Sequence, residues 1–239
     1  MIQDFTALDI ETTGLDPKLD KIIEVAAVKV REGKIVDEFQ SLLSPGRRLE
    51  ERITELTGIT DDMLADAPMP AQVIGKLLQF IGKDVLLGHS VLFDYSFVKR
   101  AAVDLGMVQG EDYNFDKMQG LDTLKLARIY LPELESRSLP FLCKHFGIPQ
   151  RAHRAMEDIR ATVMLYDTLA KNFYQEENFK PFPLVYQVKR QSPATKAQKE
   201  RLYKMVDKHK LVLDVEIDRL TRNEASRLAD KIILKYGRG

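Results

Sequence analysis

The chain has one cysteine, Cys143, so no disulfide can form within it and a packed core has to supply the stability. Cys143 lies at helical spacing from Leu139, Leu142 and Phe146, the setting of a small core residue rather than of a nucleophile. Such scarcity fits a reducing, cytoplasmic location. No apolar run approaches the roughly 20 residues of a membrane span, so no membrane partner is expected. The opening Met1-Ile2-Gln3-Asp4 lacks the basic start and apolar stretch of a secretory signal. Internal repeats and low-complexity tracts are also missing. Net charge is absent too, with 36 basic against 36 acidic residues. That balance hides a split. Residues 186–239 carry 14 Lys/Arg against 7 Asp/Glu, which leaves 22 against 29 for the rest. An acidic body with a basic tail suggests two jobs.

The chain's 239 residues suffice for one sizeable α/β domain plus an appendage. Residues 5–11 read as a buried strand ended by Thr12-Thr13-Gly14. Residues 22–30 and 35–43 are apolar, β-branched runs around a Glu32-Gly33 turn, so a hairpin and an antiparallel meander are expected. Residues 53–64 and 70–81 look helical, 85–89 form a short buried strand, and 93–105 have helical spacing. A strand end passing into a helix is expected over 121–130. Residues 139–146 form a helix closed by Gly147, and 155–172 a long amphipathic one. This order predicts a mixed sheet covered by helices on both faces. Residues 173–194 hold Pro181, Pro183 and Pro193 and read as a linker or a strap. After them, Thr195…Gln198 and Thr221…Glu224 fit the capping box in which each side chain satisfies the other's free backbone N–H. A basic helical pair over 195–239 follows, with thin apolar stripes at Leu202 and Val206 and at Leu228, Ile232 and Ile233.

Five residues stand out within this frame. Asp9 and Glu11, two apart on a strand, point to one face and repel each other unless a cation lies between them. Asp94 follows the buried strand at the first turn of a helix, where the dipole favours an anion. His153 and Asp158 are five apart, about 140° around a continuous helix. The conflict resolves if Asp158 is on the helix and His153 on the loop before it. Each acid alone has an ordinary reading as a solvated strand end or a helix-start residue. Spacing alone is weak as well, because His89 with Asp94 and His209 with Asp214 repeat the same interval. The ordered combination carries the weight. Such a set can hold two divalent ions and deprotonate a water. All-carboxylate ligands suit Mg²⁺ or Mn²⁺ rather than zinc. A neutral imidazole with an ordinary pKa near ~6.5 predicts activity that rises between pH 6 and 8.

In order, the motifs are Leu8-Asp9-Ile10-Glu11-Thr12-Thr13-Gly14-Leu15, Gly88-His89-Ser90-Val91-Leu92-Phe93-Asp94, and Ala152-His153-Arg154-Ala155-Met156-Glu157-Asp158. They resemble the DEDD-type (DnaQ-like) 3′→5′ exonuclease superfamily in its histidine-containing (DEDDh) branch, and most closely the proofreading subunit of bacterial DNA polymerase III and its relatives. The likeness covers residues 4–172 and makes 1–172 the exonuclease domain, leaving 173–194 and 195–239 outside it. It implies a ribonuclease H-like fold, two Mg²⁺ (or Mn²⁺) ions held by Asp9, Glu11, Asp94 and Asp158, and His153 as general base. It further implies that Thr12, Thr13 and Leu15 border the 3′-terminal nucleotide with Leu15 wedged against a base, and that His89, Ser90 and Phe93 lie on the substrate side. Ser90 departs from the asparagine frequent there, which predicts a changed substrate contact. Asp122 reads as a structural hydrogen bonder.

The expected activity is therefore hydrolysis from 3′ ends of single-stranded or frayed DNA in proofreading or repair, with a DNA polymerase or other replication protein as a partner. Trimming of RNA 3′ ends and a catalytically dead nucleic-acid-binding adaptor are the competing readings. The basic tail, through Lys196, Lys199, Arg201, Lys204, Lys208 and Lys210, either lengthens a backbone track or serves packing.

Overall fold

The computed structural model describes residues 1–107, 110, 113–150, 154–188, 192–213 and 215–237. It divides into two units, Met1–Pro45 with Leu49–Val188 and Gly46–Arg48 with Lys189–Gly239. Among the described residues no helix is long and apolar enough to cross a membrane.

The first unit runs β1 (Phe5–Thr12), β2 (Ile22–Arg31), β3 (Lys34–Leu42), α1 (Glu51–Thr57), α2 (Asp61–Leu64), α3 (Pro70–Ile81), β4 (Leu86–Gly88), α4 (Val91–Asp104), β5 (Gln119–Asp122), α5 (Thr123–Tyr130), α6 (Leu139–Phe146), α7 (Ala155–Phe173) and β6 (Phe182–Pro183). The six strands form one mixed sheet in the order β3-β2-β1-β4-β5-β6. β1 is antiparallel to β2 and parallel to β4. The hairpin between β2 and β3 turns on Glu32 and Gly33, both at positive φ (50° and 74°), the backbone of a two-residue turn matched to strand twist.

Side-chain alternation on β1 sorts the core into two layers. Phe5 and Ala7 join Ala26, Val28 and Val30 of β2 under α5, α6 and α7, where Leu126, Leu142, Ile159 and Tyr166 are buried. Leu8 and Ile10 face the other way, into Ile74 and Leu77 of α3 and Tyr95 and Val98 of α4. Cys143 is buried, and burial pushes its thiol up to about 11, which keeps it protonated and unreactive at neutral pH.

One stretch differs from the sequence reading, and another decides between alternatives it left open. The helix expected over 53–64 is broken in two. Gly58 at φ 69° ends α1, and the Thr60 side chain then accepts from the Met63 N–H to open α2, so a left-handed glycine and a fresh cap outweigh the apolar period. The proline-bearing stretch begins as part of the first unit. Phe179 and Leu184 are buried, and Gly120 of β5 pairs with Phe182 of β6. A two-residue edge strand tolerates Pro183 because an edge needs fewer donors.

The second unit holds α8 (Lys196–His209) and α9 (Arg222–Tyr236), with a 3-10 turn, Ile217–Arg219, in the connection between them. Both helices open with full capping boxes, at Thr195 with Gln198 and at Thr221 with Glu224. An isolated bridge ties Pro193 to Thr221. Its small core is Ala194, Leu202, Met205, Ile217, Ala225, Ala229 and Ile232, with Val206, Leu228 and Ile233 at its margin.

Candidate active site

Asp9 and Glu11 share the parity of Phe5 and Ala7, so β1 delivers both carboxylates to the face that α7 covers. Asp158 lies in the first turn of α7. One carboxylate oxygen from each of Asp9, Glu11 and Asp158 can be chosen so that all three lie within 4.8 Å of one another, and all three residues are half-buried. Asp94, in the first turn of α4, is buried. Its Oδ1 accepts the backbone N–H of Ile10 at 3.2 Å, which sets it against the strand between Asp9 and Glu11. Thus β1, α4 and α7 bring four acids together at one end of the central strands. This is the crevice beyond the strand ends that open α/β sheets use for ligands.

These acids are electrostatically unhappy together. Burial, and after it the carboxylates of Asp94, Asp158, Glu11 and Glu24, holds Asp9 well above the ordinary carboxylate range. Burial also raises Asp94, against the hydrogen bonds from its own and the Ile10 N–H groups, with Asp122 and Glu11 adding to the rise. Glu11 is pushed up to about 7 by burial, then by Asp158 and Glu24, while Arg154 works the other way. The donor set is oxygen only and compact, the chemistry of a site for a hard divalent cation. The group fits the residues present.

Glu24 was missed by the sequence reading. It is fully buried on β2, directly across from Glu11, and on the same face. Three donors hold it: Gln40 Nε2 at 2.8 Å, an Arg154 guanidinium nitrogen at 3.2 Å and the Ala155 N–H at 3.4 Å. It therefore fixes the start of α7, three residues before Asp158. Gln150 was missed too. Its amide donates to Asp158 Oδ1 at 2.5 Å. The available signal was an acid inside the apolar run Ile22-Ile23-Glu24-Val25-Ala26, since a glutamate is almost never fully buried unless it is paired.

The remaining expected residues fall into two groups. Thr12 and Thr13 are buried in the turn after β1. Thr12 Oγ1 donates to the Gly14 carbonyl at 2.6 Å, Thr13 Oγ1 donates to Asp20 at 3.3 Å, and Asp20 also accepts the Asp16 N–H at 3.0 Å. A Cβ on Gly14 would meet the Asp20 carboxyl at 2.5 Å, so a larger residue here would have to displace that carboxyl from the Asp16 N–H and Thr13. The turn is thus braced from within, and it presents Leu15 with 84% of its surface exposed. Phe93 is half-buried, its ring 4.9 Å from that of Phe97. His89 is different. Its Nε2 meets the Arg137 carbonyl and its Nδ1 the Thr123 hydroxyl, each at 2.9 Å. A carbonyl can only accept, so Nε2 carries the proton and Nδ1 accepts. Burial lowers the pKa of His89, which fits a neutral ring with both nitrogens committed inside the protein. Ser90 stands at φ 77°, and its N–H donates to Asp122 Oδ1 at 3.0 Å. The same oxygen accepts from the Leu124 and Lys125 N–H groups at 2.9 and 3.2 Å, so Asp122 caps α5. His153 lies outside the described residues.

Residues 6–166 match a family model for exonucleases of RNase T type. Two curated relatives are PolC-type DNA polymerases III. That of Oceanobacillus iheyensis is 41% identical over 174 residues, covering 72% of this chain and 12% of the relative. That of Bacillus subtilis is 42% identical over 169 residues, covering 70% and 11%. The chain thus spans about an eighth of the length of these relatives. Among solved structures, Exonuclease X in complex with 5′ overhanging duplex DNA aligns with a TM-score of 0.55 and 26% identity over 73% of this chain and 96% of that one. Exonuclease I of Methylocaldum szegediense aligns with a TM-score of 0.62 and 22% identity over 74% and 42%. The E. coli Exonuclease I complex with single-stranded DNA gives 0.62 and 21% over 72% and 41%. The mixed sheet with helices on both faces is the ribonuclease H-like fold of these exonucleases.

Proposed function

The chain belongs to the RNase T-type exonuclease family, and from that premise we propose that it is a metal-dependent 3′→5′ exonuclease acting on single-stranded or frayed DNA ends in proofreading or repair. The carrying observation is the gathering of Asp9, Glu11 and Asp158 oxygens within 4.8 Å of one another, with Asp94 bound to the Ile10 N–H beside them. DNA is the favoured polymer because Exonuclease X and Exonuclease I are seen with DNA. A replication polymerase is the favoured partner because the curated relatives are polymerases.

Asp9, Glu11, Asp94 and Asp158 would hold two Mg²⁺ or Mn²⁺ ions. When bound, such a pair neutralises the phosphodiester, lowers the pKa of an attacking water and stabilises the leaving 3′-oxygen. His153 takes the proton of that water as general base. Glu24 keeps the start of α7 in place, through Arg154 and the Ala155 N–H, and so supports the helix turn that carries Asp158. Thr12 and Thr13 brace the turn, from which Leu15 meets the terminal base. An exposed leucine on a braced turn suits stacking against a base, since that contact tolerates any sequence.

Digestion of 5′-labelled and 3′-labelled DNA and RNA oligonucleotides with Mg²⁺, Mn²⁺ or chelator tests the proposal. A 5′ label should pass down a ladder of shortening strands, a 3′ label should appear first in mononucleotide, and chelator should stop both. Cleavage that persists in chelator, or the reverse label pattern, overturns it.

A further inference from the structure

We propose that the second unit carries a groove for the backbone of single-stranded nucleic acid, walled by Arg201, Lys204 and Lys208 of α8 and floored by Met205 and Ile233. It rests on the reading of this chain as one that acts on nucleic acid, and it concerns side chains of the second unit.

The cations of this unit divide into committed and uncommitted ones. Lys196 lies 3.9 Å from Glu200, Lys199 3.2 Å from Asp218, Lys210 2.9 Å from Asp207 and Arg219 2.8 Å from Glu216. Half of the six tail cations singled out from the sequence are thus neutralised locally. Arg201, Lys204 and Lys208 are exposed and, among the described residues, none of the three has an ion pair or a side-chain hydrogen bond. Positions i, i+3 and i+7 lie along one side of a helix, rising roughly 4.5 and then 6 Å along the axis. They border a groove of about 400 Å³ whose floor is Met205 and Ile233 and in which, among the described residues, the one acid is Glu200, the residue already beside Lys196.

That chemistry selects its occupant. Three unpaired cations call for a polyanion, and an apolar floor between them calls for a flat apolar surface on the same molecule. A duplex offers phosphates but keeps its bases stacked inside, whereas a single strand offers both at once. A second groove of the unit, about 300 Å³, is lined by Tyr203, Val206, Glu216, Ile217 and Asp218 and, among the described residues, has no lysine or arginine in its wall to meet a phosphate.

The test is fluorescence anisotropy of a labelled oligothymidylate with the full chain, in chelator so that nothing is digested. Two triple variants remove the same charge. Replacing Arg201, Lys204 and Lys208 by Gln should weaken binding about tenfold or more at low salt and make the slope of log K against log salt shallower by about 2, since each phosphate contact on a single strand contributes roughly 0.7. Replacing the committed Lys196, Lys210 and Arg219 by Gln should change affinity less than threefold. A third triple, Arg201→Lys, Lys204→Arg and Lys208→Arg, should bind like the native chain, which separates lost charge from a lost fold. Equal losses in the two Gln triples, no loss in the first, a loss in the charge-preserving triple, or equally tight binding of oligoglutamate would each overturn the proposal. Digestion of the same strand by the native chain with Mg²⁺ is scored separately, so a failed exonuclease reading and a failed groove give different results.

Discussion

In the first unit Asp9, Glu11 and Asp158 face one another across less than 5 Å and Asp9 is held well above the carboxylate range by burial and by its acidic neighbours. In the second unit Glu200, Asp207, Glu216 and Asp218 each lie beside a lysine or arginine. The two halves treat the same functional group in opposite ways. Exposed acids that find local cations contribute little beyond solubility and a few tenths of a kcal/mol. Half-buried acids crowded against other acids destabilise the fold, and such repulsion persists where a ligand removes it. On the two proposals above, crowded or unpaired charge is the mark of function in both units, negative in one and, along α8, positive in the other.

The largest expected effect breaks the first half of that contrast. Asp9→Asn should lower cleavage by about a thousandfold or more, because on the proposed reading it removes a metal-holding acid and with it on the order of 4 kcal/mol of transition-state stabilisation. The same substitution should raise Tm in chelator by about 2–4 °C, the equivalent of ~1 kcal/mol for a chain of this size, since a neutral amide ends the repulsion. Asp207→Asn in the second unit should change neither quantity measurably. If Asp9→Asn lowers Tm in chelator, the acids are not in conflict and the contrast fails.

Glu24 sharpens it next, being buried and acidic yet fully partnered. Glu24→Ala leaves the Ala155 N–H and Arg154 without their acceptor, and we expect a 10–100-fold loss of activity, the scale seen when support behind a metal ligand is removed. Glu24→Gln keeps one acceptor oxygen and should recover part of it. Full activity in Glu24→Ala would show that the start of α7 is held by other contacts.

A pH series gives a smaller effect with an unusual sign. Glu11 has an ordinary pKa of 4.5 and is raised to about 7 in the fold, so between these values the folded state binds more protons than the unfolded one. Stability without metal should then fall as pH rises from about 4.5 to about 7, the reverse of a salt-bridged carboxylate. Saturating Mg²⁺ should abolish the fall, because bound metal favours the ionised carboxylate. Thermal denaturation across this range, with chelator and with metal, reads both; a metal-free Tm that rises steadily from pH 4.5 to 7 contradicts the raised Glu11.

Sequence pattern made the sheet readable because its strands announce themselves. Period two on β1 and a run of buried β-branched residues on β2 leave few alternatives, and that same period put Asp9 and Glu11 on one face. Positions set by tertiary contact stayed hidden. Nothing local marks Gln150 as the donor to Asp158 or Asp20 as the brace beneath Gly14, because each partnership joins residues that only the fold brings near. Glu24 was visible as an anomaly, a charge among buried apolar neighbours, but its meaning depended on knowing that α7 begins above it. The second unit was thin in pattern for a related reason: Ala225 and Ala229 form much of its core, and alanine gives a weak periodic signal.

Ser90 shows how a departure from the family pattern can be read once the backbone is known. From sequence, serine in place of asparagine suggested an altered contact with substrate. In the fold the residue opens α4 at φ 77°, ψ 44°, the left-handed region that costs most L-residues about 1 kcal/mol and that asparagine tolerates through its short polar side chain. Its N–H, not its hydroxyl, makes the bond to Asp122. The asparagine frequent in the family then answers a backbone demand, and serine leaves strain in place at the turn before Asp94. Ser90→Asn, and likewise Ser90→Gly, should stabilise the chain by about 0.5–1 kcal/mol, measured by urea unfolding with an unchanged m-value, while KM for a single strand stays within twofold. If Ser90→Asn instead shifts KM and leaves stability untouched, the side chain faces the substrate and the backbone explanation is wrong.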